Sequence, residues 1–280
     1  DKALTWLDQR DKDKPFFLYY PMILVHDPMD PTPDTQDSAR LGVTLKDRKK
    51  LPKEVRSKMV KDNFVDMVHY MDKIVGKIDA KLEELGIAEN TLVMFASDNG
   101  AMQEGGHKRD SFISNGDRRG GKRDMWDGGI CTPMIAWWPG KIKPGQVTDH
   151  VSAFWDISPT VRELASAEQQ ADTDGISMVP LLLSKGTQKK HDYLYWEFFE
   201  RGGKRAILKG KWKLILYKTN TELDPKFELF NLSNDISEVK NVAGQYPEIV
   251  SELRDLMDSA HTPAECKTFK FASERKMQKK

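Results

Sequence analysis

Apolar residues recur at three- and four-residue spacing from Val60 through Phe64, Met67, Val68, Met71, Ile74, Val75, Ile78 and Leu82 to Leu85, and the pattern stops at Gly86. Such spacing lines one face of a helix, so it predicts a long amphipathic helix over residues 57–85 closed by glycine. Ala3, Leu4, Trp6 and Leu7 start the chain on a shorter amphipathic pattern. Pro15–Tyr20, Thr91–Ala96 and Met134–Trp138 are short and continuously apolar, the signature of buried strands. Residues 156–165 open on an acid near a proline and read as another helix. Helical and strand patterns alternating in this way predict an α/β domain built on a parallel sheet.

The texture changes after Ser177–Leu183, where the polar stretch Ser184–Lys190 marks a boundary between units. Beyond it, Tyr193–Glu197, Arg205–Leu208, Trp212–Tyr217 and Phe227–Phe230 are aromatic or β-branched runs separated by glycine, asparagine and aspartate. These predict an antiparallel meander, with a helix over about 246–258 to cover it. From Thr262 to Lys280 the chain is lysine-rich with little periodicity and reads as a basic tail or a loosely docked segment. The expected organisation is therefore an α/β unit over 1–183, a small α+β unit over 191–261 and a tail over 262–280.

Charge narrows the function classes by exclusion. Of 280 residues, 44 are Lys or Arg and 43 are Asp or Glu, leaving a formal net charge of +1. Nothing in that balance, and no long run of one sign, directs the chain to nucleic acid or to an anionic membrane. No apolar stretch approaches the roughly 18 residues that a membrane span needs. Cys131 and Cys266 could pair or stay free, and two cysteines in a chain this long are not a disulfide scaffold. The chain begins at Asp1 directly on a helical pattern and reads as the middle of a protein, so any signal peptide is expected upstream.

The candidate chemistry sits where the strands end. Ser97, Asp98, Asn99 and Gly100 follow the run Thr91–Ala96, the place where open α/β sheets carry their sites. Asp98 and Asn99 offer a carboxylate and an amide carbonyl, hard oxygen donors suited to Ca²⁺ or Mg²⁺. The same four residues also suit a plain turn with Asn or Gly at positive φ. His26 follows Tyr20–Val25 in a proline-rich loop, where it is either a loop histidine or a donor to an oxyanion. Lys122 lies among Lys108, Arg109, Arg118, Arg119 and Arg123, which read either as a solvated loop or as a positive rim. His69, His107, His150, His191 and His261 are assigned ordinary structural roles. The Asp- and Pro-dense run from His26 to Asp37 lacks the EF-hand order of a calcium loop and reads as a turn-rich lid.

Gly120, Gly121 and Lys122, then Asp127-Gly128-Gly129 five residues after the lysine, then Pro133 opening the strand Met134–Trp138, together resemble the sulfatase family. In that family a strand ending in Ser-Asp-Asn-Gly is followed by Gly-x-Lys, an acid-Gly-Gly and a strand opened by proline. His26 matches the family's His-x-Pro. Lys209–Leu214, Glu228–Leu232 and Glu238–Asn241 are similar to the family's small C-terminal domain, so the resemblance runs from about residue 14 to 258. Asp127 stands where glutamate is common and Cys131 where arginine is common. The family's Cys- or Ser-x-Pro-x-Arg motif and its early Asp-Asp pair do not occur in the sequence, and Cys131 lacks the arginine four places on that would make it the nucleophile.

The resemblance implies the later part of an alkaline-phosphatase-like α/β sheet domain, followed by a small antiparallel sheet with a packed helix. It implies hydrolysis of sulfate esters, in the main of sulfated carbohydrates. Asp98 and Asn99 would ligate Ca²⁺ together with upstream aspartates, Lys122 would hold the sulfate and His26 would assist the departing alcohol. The nucleophile, a formylglycine, would lie outside this chain, leaving the chain inactive by itself and partnered by the preceding part of the same protein. A periplasmic, lysosomal or secreted location is implied in the same way. Two alternatives remain open: a phosphatase or phosphodiesterase of the same superfamily, and a non-catalytic module that binds glycans or protein. Trp196, Glu197, Arg201 and Lys204 are candidates for a sugar-facing rim, against the alternative that the aromatic residue belongs to a core.

Overall fold

A computed structural model describes residues 2–102 and 113–277. Eight α-helices and six strands occur among them: α1 (Lys2–Gln9), α2 (Leu45–Arg48), α3 (Lys53–Glu84), β1 (Val93–Ala96), α4 (Asp127–Ile130), β2 (Met134–Trp137), α5 (Ile157–Leu164), α6 (Val179–Leu182), β3 (Leu194–Phe198), β4 (Lys204–Lys209), β5 (Trp212–Tyr217), β6 (Phe227–Asn231), α7 (Pro247–Ala260) and α8 (Ala272–Met277). None of the described helices is long and apolar enough to cross a membrane.

The long helix forms as the stripe demands but begins at Lys53, directly after Pro52, because its first turn is polar and carries no periodic signal. It ends on a glycine cap. Gly86 takes φ 67°, its N–H donates to Glu83 O, and the Ile87 N–H donates to Leu82 O, which satisfies two terminal carbonyls. On one face, Val60 and Met67 bury against Met29, with Leu24, Val25 and Phe64 packed around them. This contact seats the loop that carries His26.

The strands of the first half differ from the parallel arrangement that alternation suggests. β1 and β2 pair antiparallel, with Val93 opposite Trp137 and Ala96 opposite Met134. The chain leaving β1 therefore returns to β2 at the same end, and Asp98 and Asn99, just after β1, are gathered there with Lys122, whose N–H is bonded to Ala101 O. Alternation of element types does not by itself fix strand direction; the register does. Pro15–Tyr20 is also not a strand in the described residues. Phe17 and Tyr19 are exposed, and an apolar run without a neighbour to bond is not a sheet.

β3, β4, β5 and β6 form the expected antiparallel meander in sequence order. Both of its faces are covered. Ile207, Leu214, Leu216 and Leu229 pack beneath Val250, Leu253 and Met257 of α7. The alternate residues Ala206, Ile215 and Phe230 point the other way and pack against Met125, with Trp126 at the edge of the cluster. That second face explains why β4 and β5 read as continuous apolar runs and not as strict alternation. The C-terminal segment, read from sequence as a tail, carries α8 and docks through Phe271, which is 2% exposed. Its glutamate Glu274 accepts the Phe271 N–H and lies 3.4 Å from His261 Nε2.

Candidate active site

Three segments converge at one end of the β1–β2 pair. The first is the loop after β1. Ser97 Oγ donates to Asn99 O, and Asn99 Nδ2 donates to Gly100 O. With its amide nitrogen engaged, Asn99 has its Oδ1 in no hydrogen bond among the described residues. Asp98 is exposed and makes no hydrogen bond or ion pair among the described residues. The two side chains thus present a carboxylate and an amide oxygen next to one another, which is chemistry that fits a hard cation. They are two donors where Ca²⁺ takes six to eight. No cluster of three or more metal-ligating His, Cys, Asp or Glu residues occurs among the described residues, so a cation held by this pair would need further ligands.

The second segment, residues 119–130, is locked against the first by glycines. Gly100 N–H donates to Gly129 O at 2.9 Å, and a Cβ on Gly100 would sit 1.9 Å from Gly128 O. Gly128 N–H donates to Arg119 O, and a Cβ there would lie 2.3 Å from that same oxygen. Only hydrogen fits at both positions. Asn115 bridges the segments as well, accepting the Ala101 N–H at Oδ1 and donating from Nδ2 to Gly120 O. Lys122 N–H donates to Ala101 O at 2.9 Å, three residues beyond Asp98.

The third segment brings His26. Its Nδ1 lies 2.7 Å from Asp27 O, and a carbonyl can only accept, so the proton of the neutral ring belongs on Nδ1. The lone pair then sits on Nε2, which lies 3.3 Å from Lys122 Nζ, an ammonium that can only donate. The structure therefore brings His26 and Lys122 together, each within reach of solvent. The loop that follows is tied to α3: Asn63 Nδ2 donates to Met29 O, Arg40 bridges Asn63 and Asp66, and Arg48 pairs with Asp30. Asp34 and Asp37 are engaged by Lys73 and Arg40, so these carboxylates hold the loop in place and are not assembled as a calcium loop. Asn63, Arg40 and Arg48 escape a sequence reading because polar positions on an amphipathic helix and loop carry no pattern of their own.

The basic residues around Lys122 do not act alike. Arg119 turns inward, stacking 3.8 Å over Trp126 and donating to Glu238 O. Arg123 pairs with Glu200 at 3.2 Å. Lys108, Arg109 and His107 lie outside the described residues. Asp127, in the acid position before the two glycines, meets the buried Lys213 Nζ, and its N–H donates to Glu238 Oε2. Lys213 also lies 3.0 Å from Glu238, which is wholly buried. Burial raises the Glu238 carboxyl above its ordinary range, against the pull of Lys213. The other residues singled out from sequence fall elsewhere. His191 bonds Asp156 at 2.9 Å and His261 bonds Glu197 at 2.5 Å, both structural ties. Lys204 turns away from any sugar-facing rim toward Arg123 and Asp124. Trp196 packs beside Ala206, Ile215 and Phe230. Cys131 and Cys266 are both free thiols.

Residues 1–167 match the family described as Sulfatase, and residues 119–262 match N-sulphoglucosamine sulphohydrolase, C-terminal. Steryl-sulfatase of Rattus norvegicus is 35% identical over 191 residues, covering 67% of this chain and 30% of the relative. N-acetylgalactosamine-6-O-sulfatase of Bacteroides thetaiotaomicron is 29% identical over 273 residues, covering 90% of this chain and 48% of the relative. The solved structure of Ps i-CgsB in complex with k-i-k-neocarrahexaose superposes with a TM-score of 0.71 at 27% identity, over 92% of this chain and 52% of that one. The chain thus spans between 30% and 48% of the length of these two curated relatives. With a family match over more than half its length, and with strand-end acid and amide, glycine lock and lysine in the family's order, this chain belongs to the sulfatase family.

Proposed function

We propose that this chain supplies the sulfate-holding side of a carbohydrate sulfatase centre. The observation that carries the reading is the meeting of Lys122 Nζ and His26 Nε2 at 3.3 Å, on a loop whose Lys122 N–H is bonded to Ala101 O beside the Asp98–Asn99 pair. A cation and an imidazole facing one solvent-accessible point match an ester whose non-bridging oxygens are anionic and whose bridging oxygen gains charge as the S–O bond breaks. Lys122 would neutralise a non-bridging oxygen. His26, its Nδ1–H held by Asp27 O, would deliver a proton to the departing alcohol only as the imidazolium, giving up a second proton carried on Nε2 and returning to the neutral ring whose Nε2 lone pair faces Lys122.

Asp98 Oδ and Asn99 Oδ1 would hold Ca²⁺ with ligands from outside this chain. When bound, the ion supplies Lewis-acid charge to the sulfate oxygens. The nucleophile, formylglycine by family resemblance, would also come from outside. Carbohydrate esters are favoured because the Bacteroides relative is named for N-acetylgalactosamine 6-O-sulfate and the Ps i-CgsB structure holds a neocarrahexaose. Assay of the whole protein against a sulfated monosaccharide, 4-nitrophenyl sulfate and 4-nitrophenyl phosphate tests the reading. Sulfate hydrolysis lost in Lys122→Ala is expected; preference for the phosphate ester would instead establish a phosphatase of the same superfamily.

A further inference from the structure

Lys122 stands at the second position of a tight turn, Gly121 to Asp124. The Asp124 N–H donates to Gly121 O at 2.9 Å, and the Gly121 N–H donates back to Asp124 Oδ2 at 3.2 Å. At the third position Arg123 takes φ 75°, a conformation that L side chains rarely adopt and that surrounding contacts must maintain. Those contacts come from the C-terminal sheet. Lys204 Nζ donates to Arg123 O at 2.8 Å and lies 3.3 Å from Asp124 Oδ1. A single ammonium thus grips the carbonyl of the strained residue and the carboxylate that closes the turn.

The register of the meander puts Lys204 there. Lys204 pairs with Tyr217, and Ala206 with Ile215, so Lys204 shares the face that Ala206 and Ile215 bury against Met125. Its side chain is 12% exposed and Phe198 lies 6.0 Å from its ammonium, so it is committed to the turn and not to solvent. Lys122 is then fixed from two sides. Its N–H is bonded to Ala101 O near the acid and amide, and the rest of its turn is bonded to the C-terminal sheet. Only its side chain is left to reach His26.

We propose that Lys204 is a positioning residue for Lys122, through which the C-terminal sheet sets the aim of the sulfate-holding lysine. The catalytic part of this proposal rests on the sulfatase reading above; the geometric part does not. In the whole protein labelled with [15N]histidine, the His26 Nε2 resonance reports the hydrogen bond from Lys122. Lys204→Met is expected to move it toward its position in Lys122→Ala, Lys204→Arg to leave it near wild type, and Lys204→Met added to Lys122→Ala to move it no further. Sulfate-ester kcat/KM should fall about tenfold in Lys204→Met, less than a full ångström of misplacement would cost. That loss should vanish in the Lys122→Ala background, where no aimed lysine remains to disturb.

An unchanged His26 resonance in Lys204→Met, or a kcat/KM loss that adds fully to that of Lys122→Ala, overturns the proposal. Absence of sulfate hydrolysis in the wild type would sink the sulfatase reading while the resonance still decides the geometry. Asp124→Asn removes the ion pair but keeps an acceptor for the Gly121 N–H, and it is expected to shift the resonance in the same direction. Loss of folding in both Lys204→Met and Asp124→Asn would assign Lys204 to stability alone and also overturn the proposal.

Discussion

Lys122 Nζ and His26 Nε2 lie 3.3 Å apart across 96 residues of chain, and the two side chains arrive from unlike supports. His26 rides a loop packed on α3 through Met29, whereas Lys122 rides a turn wedged between the end of β1 and the C-terminal sheet. The His26 N–H is bonded to Ile23 O in its own loop, whereas the Lys122 N–H is bonded to Ala101 O and the carbonyl after it, that of Arg123, to Lys204. Neither depends on the other for its place, so each can be removed without dragging its neighbour away.

That independence makes the two roles separable in the whole protein. Lys122→Ala should reduce kcat/KM about 10²-fold or more on every sulfate ester, as expected for loss of one donor to a charge-gaining oxygen. His26→Ala should injure sugar sulfates far more than 4-nitrophenyl sulfate, whose leaving group needs little proton help. Steady-state kinetics with both substrate types measures the contrast. Equal losses for both in His26→Ala would restrict His26 to holding sulfate.

Asp98→Ala should abolish tight Ca²⁺ binding by the whole protein, and Asn99→Ala should weaken it less, because removal of a carboxylate takes away charge as well as an oxygen. Isothermal titration in chelator-treated buffer is the check. Unchanged affinity in both variants would make Ser97–Gly100 a turn and nothing more.

Much of this arrangement was legible in the chain. The stripe from Val60 to Leu85 named α3 and the aromatic runs named all four strands of the meander, while His26, Asp98, Asn99 and Lys122, each of which also suited a plain loop or turn, were singled out by the resemblance to the sulfatase family. Strand direction was not legible, because β1 and β2 carry the same apolar run in either orientation and only the pairing of Ala96 with Met134 decides it. Nor were the partners of two lysines. Lys204 read as a candidate for a sugar-facing rim and Lys213 as one position in an apolar run, yet both lie on the sheet face that meets residues 123–127, where Asp124 receives Lys204, and Asp127 with Glu238 receives Lys213. Asp124 and Asp127 stand 80 and 86 residues from these lysines, and partners so distant leave no local signature.

Gly128→Ala should destabilise the chain by about 2–3 kcal/mol, since the new methyl would meet two backbone oxygens and no flexible side chain can yield. The Cβ would fall 2.3 Å from Arg119 O and 2.6 Å from Gly120 O. Gly86→Ala is the control for backbone conformation, having positive φ but open space. Urea midpoints for the two variants should differ, with Gly128→Ala lower. A wild-type midpoint in Gly128→Ala would show that residues 119–129 are not held against each other as described.

The two thiols should differ in reactivity. Desolvation and the nearby Asp127 charge push the Cys131 thiol up to about 11, whereas hydrogen bonds from Thr268 hold the Cys266 thiol below its usual range. At pH 8 a smaller share of Cys131 than of Cys266 would be thiolate, and thiolate is the reactive form. Iodoacetamide should therefore label Cys266 first, as read by peptide mass spectrometry. Faster labelling of Cys131 would reopen it as a nucleophile.

The buried Lys213 should reveal itself through pH. Its ammonium stands between Asp127 and Glu238 and is 1% exposed, so Lys213→Met leaves two carboxylates facing each other with no cation between them. Breaking a buried pair in this way costs about 3–5 kcal/mol at neutral pH. Glu238 already titrates above its ordinary range because burial disfavours its charge, and Lys213 is the nearest influence pulling it back. Without Lys213 the folded-state value climbs further while the unfolded value stays put. Below the unfolded value the carboxyl is protonated in both states and costs nothing; as pH rises through the window up to the folded value, the unfolded chain ionises first and the folded state loses ground. The deficit of Lys213→Met against wild type should therefore be smallest near pH 4.5 and grow toward pH 7. Adding Glu238→Gln should recover part of the loss at pH 7 and flatten that dependence. Urea denaturation of the three variants at both pH values is the measurement, and a deficit that stays constant with pH would mean that Lys213 stabilises the sheet through packing alone.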